Sequence, residues 1–281
     1  MKNILFPTDF SEASLNSKQF CIEIAKRSGA KILLLNIYNV TIYDPNMPAE
    51  LMMESMNEAM RFSKEGLEKL LPDFKSQTYN SGGNLEVEIV SKQGLVGDEI
   101  EIFVSENNID LIVMGTTGES GFLDKIMGSN TSSVIEKVKC PVLAIPAKAK
   151  YKGISNIVYA ASLTDDDRSE VPYITGLATL FDAEIKYLHI CDDDDQSMIS
   201  QKDSIFETLK EEINYSKIGF EILENNDIVK GLETYVNNNK VDVLVMAQHK
   251  RNFFERIFKS SKTETMVHHT DIPLYALHIR K

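Results

Sequence analysis

The chain has 281 residues, 43% of them apolar and 26% charged, with a formal net charge of −12 at pH 7. That length suits about two ordinary globular domains, each long enough to bury its own core. The acidic balance argues against a general nucleic-acid binder and against adsorption to anionic lipid, both of which need a basic face. It leaves open a small anion held locally by backbone N–H groups.

The opening "MKNILFPTDF" reads as a first β-strand broken by proline rather than a signal peptide. No stretch approaches the ~18 apolar residues that would span a bilayer. A helix is expected from near Ser11 to just before Gly29, with Phe20, Ile24 and Ala25 on one face. "KILLLNI" is a second strand, and a helix follows from about Pro48 to Leu71. On it Met52, Met56 and Met60 recur at i, i+4, i+8; adaptable packing accounts for them better than a lid over a ligand. "SGG" at Ser81–Gly83 is a turn. "LEVEIV" is a third strand, and after Gly94 comes a helix carrying Ile100, Phe103 and Val104. "DLIVMG", a helix from Ser129 that stops before Pro141, and "PVLAIP" complete the unit. Short apolar strands alternating with helices define an α/β fold: an open, parallel, five-stranded sheet with helices on both faces.

The unit is then written a second time. "NILFPTDFS" from Asn3 matches "NIVYAASLT" from Asn156, and "GAKILLLNIY" from Gly29 matches "DAEIKYLHIC" from Asp182, both at an offset of 153. Later, "IDLIVMGTTG" from Ile109 matches "VDVLVMAQHK" from Val241, and "CPVLAI" from Cys140 matches "IPLYAL" from Ile272, at an offset of 132. The second copy is shorter by the difference, 21 residues, lost between its second and third strands. We therefore expect two tandem domains, 1–147 and 153–281, joined at the small, basic "AKAKYKG". The three cysteines, Cys21, Cys140 and Cys191, form no CxxC pair and read as reduced, buried thiols of a cytoplasmic protein.

The stretch "MGTTGESGFLDKIMGSN", Met114 to Asn130, carries the functional signal. It begins where the fourth strand ends. In a doubly wound sheet, ligands bind beyond the carboxyl ends of the strands, where the strand order reverses. Asp9, at the end of strand one, should face the same crevice. Gly115 and Gly118 let the backbone approach a phosphate and adopt positive φ. Gly128 and Ser129 open a helix whose first N–H groups and dipole favour an anion. Phe122, Leu123, Ile126 and Met127 form a short amphipathic turn over the site. Asp9 could accept from a ribose hydroxyl. Taken singly, Gly115 is a strand-to-loop turn, and Asp9, Ser11 and Ser129 are helix caps. Spacing, placement and the partner acid together favour nucleotide binding.

The pattern G-x2-G-x9-G-S after a strand, with N-terminal "PTDFS" and a closing "CPVL", resembles the universal stress protein family, and the resemblance covers the whole chain as a tandem of two domains. It implies a Rossmann-like fold of the adenine-nucleotide α-hydrolase type. It also implies an ATP site, possibly with Mg2+, at Pro7, Asp9, Ile37, Met114, Gly115, Gly118, Gly128, Ser129 and Asn130. One departure is Glu119, where many members carry a basic residue; a carboxylate there repels a triphosphate, and Lys125 offsets it if it points inward. The second copy departs throughout. Gly115, Gly118, Gly128 and Ser129 correspond to Ala247, Lys250, Ser260 and Ser261, and Asp9 to Ser162. Family-style ATP binding is therefore expected of the first domain only.

The basic, aromatic loop "HKRNFFERIFKSSK" that replaces the motif reads as solvated. The five histidines all lie in this half, and adjacent His268 and His269 make a poor metal pair. The runs at Thr164–Asp167 and Cys191–Asp195 lack EF-hand order, so no metal is expected. G-x-G-x-x-G after strand one, a P-loop, Ser-Gly-Gly-x-Asp-Ser and G-x-S-x-G are all absent. Efficient catalysis has no visible machinery; slow ATP hydrolysis is the most that is expected. The resulting expectation is a nucleotide-binding regulatory protein of stress response, its two domains paired within the chain. A homodimer and an unidentified protein partner are plausible by resemblance. The alternatives are a ligand-free interaction scaffold and a slow ATPase.

Overall fold

A computed structural model describes residues 1–39, 48–116, 129–161, 163, 169–191, 202–247 and 271–278. The first half runs β1 (Asn3–Pro7), α1 (Glu12–Asn16), α2 (Lys18–Ser28), β2 (Lys31–Tyr38), α3 (Ala49–Lys75), β3 (Val87–Gln93), α4 (Val96–Asn107), β4 (Leu111–Thr116), α5 (Ser129–Lys137) and β5 (Val142–Pro146). The second half runs β6 (Asn156–Ala160), α6 (Val171–Phe181), β7 (Glu184–Cys191), α7 (Lys202–Glu212), β8 (Ile218–Glu224), α8 (Ile228–Asn238), β9 (Val243–Ala247) and β10 (Leu274–Leu277).

Each half has the strand order 3-2-1-4-5, with parallel neighbours. The halves do not form separate sheets. β5 pairs antiparallel with β10, Leu274 opposite Ala144 and Ala276 opposite Val142, which gives one ten-stranded sheet. Both strands are buried along their whole length. Left unpaired, each would be an exposed apolar edge.

Successive strand residues point to opposite faces, and the core divides accordingly. Ile4 and Phe6 of β1 join Phe20, Ile24, Leu67, Leu70 and Phe74 on the face covered by α2 and α3. Leu5 joins Ile100, Phe103 and Val134 on the face covered by α4 and α5. Two expected helices end differently. The stretch from Ser11 to Gly29 is two helices, broken at Ser17, whose hydroxyl donates to the Ser14 carbonyl at 2.6 Å. That local bond competes with the helical ladder. α3 continues past Pro72 to Lys75. Proline removes one backbone donor there, and burial of Phe74 edge-on against Phe6, centroids 5.3 Å apart, holds the extra turn. The methionine stripe is not part of the fully buried core: Met52 is exposed, and Met56 and Met60 are half-buried.

The duplication extends to single hydrogen bonds. Asp110 accepts from the amides of Lys2 and Asn3, and Asp242 accepts from those of Ser155 and Asn156. Tyr79 donates to the Ala30 carbonyl, and Tyr215 to that of Ala183. Left-handed φ recurs at Phe10 and Leu163, 64° and 55°, and at Gly29 and Asp182, 73° and 53°. The shortening lies between the second and third strands of each half, where α3 has 27 residues and α7 has 11.

Candidate functional site

Between β1 and β4 the chain reverses its direction of travel across the sheet: β1 leads through α1 and α2 to β2 on one side, and β4 lies on the other. A cavity opens at the carboxyl ends of these strands. Pro7, Thr8 and Asp9 line it from β1, and Leu35 and Ile37 from β2. Met114 and Gly115 line it from β4, Ser11, Ala13 and Ser14 from the α1 turn, Val96 from α4, and Asn130 and Thr131 from α5. Six of the nine expected site residues (Pro7, Asp9, Ile37, Met114, Gly115 and Asn130) thus meet at one cavity. Ser129 is the first residue of α5. Gly118 and Gly128, with Glu119, Lys125 and the amphipathic turn, lie outside the described residues.

Asp9 is held by its neighbours. Its Oδ1 accepts from the Ser11 amide at 3.0 Å and from the Ser11 hydroxyl at 2.6 Å. Ser11 is the N-cap of α1 and accepts from the Ser14 amide at 3.2 Å. Partial burial pushes the Asp9 pKa up, but the bonds from Ser11, supported by Ser14, outweigh it and leave the carboxyl below its ordinary 3.8. Asp9 is therefore ionised at neutral pH. Beneath it a buried network fixes the end of β1. The Thr8 and Ser14 hydroxyls lie 2.9 Å apart, the Thr8 amide donates to Leu35, and the Asn36 side chain donates to the Thr8 carbonyl at 2.7 Å. Sequence reasoning missed Thr8, Ser14, Leu35, Asn36, Val96 and Thr131. The "PTDFSEAS" run of hydroxyls was the available signal for the first two.

Gly115 has a role other than the one expected. It is a strand residue paired with Ile145 in the β4–β5 ladder, not a positive-φ turn. A Cβ at this position would lie 2.0 Å from the Ala13 carbonyl oxygen and 2.7 Å from Ser14 Cα. The space its missing side chain leaves is filled by the backbone of α1. Gly115 seats α1 against the end of β4, and α1 in turn forms one wall of the cavity.

Two helices present their N-terminal residues to the same cavity: Val96 begins α4, and Asn130 and Thr131 stand in the first turn of α5. First-turn N–H groups have no intrahelical partner, and the dipole adds positive potential there. α4 carries Asp98 and Glu99 in its first turn, which oppose an incoming anion. α5 carries no acidic residue in its first turn, so it is the better anion end. Asp98 is engaged by Lys137 from the far end of α5, and Gly97 packs against Ser133, which hold the two helices together.

In the second half, Ala247 stands at the position of Gly115, buried at the end of β9. His189 stands at the position of Asn36. Its Nδ1 lies 2.9 Å from the Ala161 carbonyl, the bond Asn36 makes to Thr8, so this nitrogen carries the proton and the ring replaces the amide as a brace. Ser162, Lys250, Ser260, Ser261, the replacement loop, the run Thr164–Asp167, and His249, His268 and His269 lie outside the described residues. The three cysteines are buried and form no disulfide, and burial pushes the Cys21 thiol far up. Among the described residues no helix is long and apolar enough to cross a membrane.

A doubly wound α/β unit used twice in one sheet, with a cavity at the strand-order reversal of the first half, defines the class. The chain belongs to the universal stress protein family, whose model matches residues 1–146 and again 153–278. A universal stress protein of Methanocaldococcus jannaschii, MJ0531, is 32% identical over 149 residues, 53% of this chain and 84% of its own length. The universal stress protein Slr1230 of a Synechocystis species is 20% identical over 289 residues and spans 98% of this chain and 99% of its own. The crystal structure of a universal stress protein from Archaeoglobus fulgidus superposes with a TM-score of 0.69 at 18% identity, covering 99% of this chain and 96% of that one. Tandem organisation and a Rossmann-like fold are thus shared along the full length.

Proposed function

We propose that this protein is a regulatory component of the stress response that binds an adenine nucleotide, ATP with Mg2+ on its phosphates, in its first half only. The observation that carries this reading is the cavity at the strand-order reversal, where an ionised Asp9 and the acid-free N-terminus of α5 stand together. A carboxylate can accept from ribose hydroxyls, and free helix amides can donate to phosphate oxygens. Gly118, Gly128 and Ser129 complete the family motif in sequence and would supply further backbone donors. The second half has exchanged all three glycines and the acid, so it serves as a structural partner of the first.

Regulation is favoured over turnover. Among the described residues Asp9 is the one carboxylate lining the cavity, and the bonds that lower its pKa make it a weak base at neutral pH. Slow hydrolysis would then rest on positioned donors alone. A ligand-free scaffold is the second reading, favoured by two facts: Asp9 Oδ1 is satisfied within the chain, and α1 already fills the space beside Gly115. A cytoplasmic site of action and pairing between chains follow from the family resemblance and belong to the same proposal.

Thermal unfolding with and without Mg-ATP separates the readings. At 100 times the dissociation constant, binding stabilises the native state by about 2.7 kcal/mol, which at roughly 2–4 °C per kcal/mol for a domain of 150–250 residues is a shift of roughly 5–11 °C. The shift should vanish in a Gly118→Arg/Gly128→Val variant. No shift in the wild type at millimolar ATP would leave the scaffold reading.

A further inference from the structure

We infer that α1 couples nucleotide occupancy to the junction between the two halves, with Asn16 as the positioning residue that carries the coupling. The inference rests on the nucleotide reading above. One side of α1 belongs to the cavity: Ala13 and Ser14 line it, and Ser11, its N-cap, is tied to Asp9. The last residue of the same helix reaches the junction. Asn16 Nδ2 donates to the Pro146 carbonyl at 3.0 Å and to the Ala149 carbonyl at 2.7 Å. Pro146 ends β5, the strand that meets β10, and Ala149 lies in the segment that leads to the second half. That segment is packed rather than loose: Ala149 is 1% exposed, and the Tyr151 ring stands edge-on to Phe20, centroids 5.2 Å apart.

α1 has five residues, about 7 Å at 1.5 Å per residue. So short a helix, capped and tied at both ends, moves as one piece. Its contact with Gly115 is backbone against backbone and has no side chain to yield. A ligand that orders the cavity wall therefore orders the Asn16 clamp. By linkage, an ordered clamp favours the ligand equally. In the second half Ser169 stands at the position of Asn16, and its hydroxyl donates to the carboxylate of its neighbour Glu170. An asparagine amide at this position thus occurs in the half that keeps the acid and the glycines, and a serine in the half that has lost them.

The test is amide hydrogen exchange across residues 147–151 of the full chain, with ATP binding followed by calorimetry on the same samples. In the wild type, saturating Mg-ATP should slow exchange there ~5-fold or more, the lower end of ordinary coupling. In Asn16→Ala the calorimetric signal should remain and the slowing should disappear. Should that variant fold poorly, Asn16→Asp, of the same shape but without the donors, is expected to behave likewise. ATP binding without slowing in the wild type, or slowing that survives both substitutions, overturns the coupling. Absence of ATP binding in the wild type overturns the nucleotide reading itself, and this inference with it.

Discussion

The Ala13 carbonyl oxygen lies where a side chain at Gly115 would begin, 2.0 Å from an added Cβ. Both groups belong to backbone in regular elements, so neither can swing aside. Gly115→Ala should therefore destabilise the chain by about 1–3 kcal/mol, the usual cost of overpacking, read as a lower urea midpoint without ligand. An unchanged midpoint would mean that α1 is free to lift away. Asp9 makes a different prediction, in pH. Its folded pKa lies below the ordinary 3.8, so its stabilising contribution is fully present above that value and is lost as pH falls through the folded one. The wild type should be more stable than Asp9→Ala by a constant margin from pH 5 to 8, and the margin should shrink on acidification below 3.8. A margin that grows in acid would contradict the bonding seen at Oδ1. Asp9 was legible in the sequence as an acid ending a strand. The job of Gly115 was not, because a glycine admits a phosphate and a neighbouring backbone equally well, and only the fold says which is there.

At the level of elements, helix existence was legible from apolar spacing, while helix ends were decided by tertiary contacts. Gly29 ends α2 as a left-handed C-cap with φ 73°. Pro72 reads as a stop, yet α3 runs on because Phe74 is fully buried against Phe6. A propensity rule sees the missing donor and not the ring that compensates for it. Phe74→Ala should remove that compensation and cost about 3–5 kcal/mol, with loss of helicity confined to the last turn of α3. A loss below 1 kcal/mol, judged against that range, would show that backbone bonds alone hold the turn. The opposite end of α3 teaches the same lesson. Met52, Met56 and Met60 sit on an apolar-spaced stripe, yet Met52 is exposed and the other two only half-buried, because burial is centred further along, on Ser63, Leu67, Leu70 and Phe74. Periodicity names a face, and the sheet beneath decides how much of it is covered.

For the whole molecule, the repeat was visible at two offsets. The pairing of the halves through their last strands came only from the family resemblance, since strand alternation describes each half and says nothing of what its last strand meets. β5 is buried from Val142 to Pro146 by β4 on one side and β10 on the other. A fragment ending near Lys150 would keep its own order, 3-2-1-4-5, and expose that edge as a row of unpaired amides flanked by Leu143 and Ile145. Exposed apolar edges recruit strands, and the nearest complementary strand in solution is the β5 of another fragment. Antiparallel pairing of two identical strands closes a two-fold dimer, repeating in trans the register that Leu143 now makes with Tyr275. Light scattering on the purified fragment should therefore give twice the fragment mass at micromolar concentration, whereas the intact chain has this edge already filled. A folded fragment that stays monomeric would show that β5 is capped by its own half, and the second half would then need a function beyond completing the sheet.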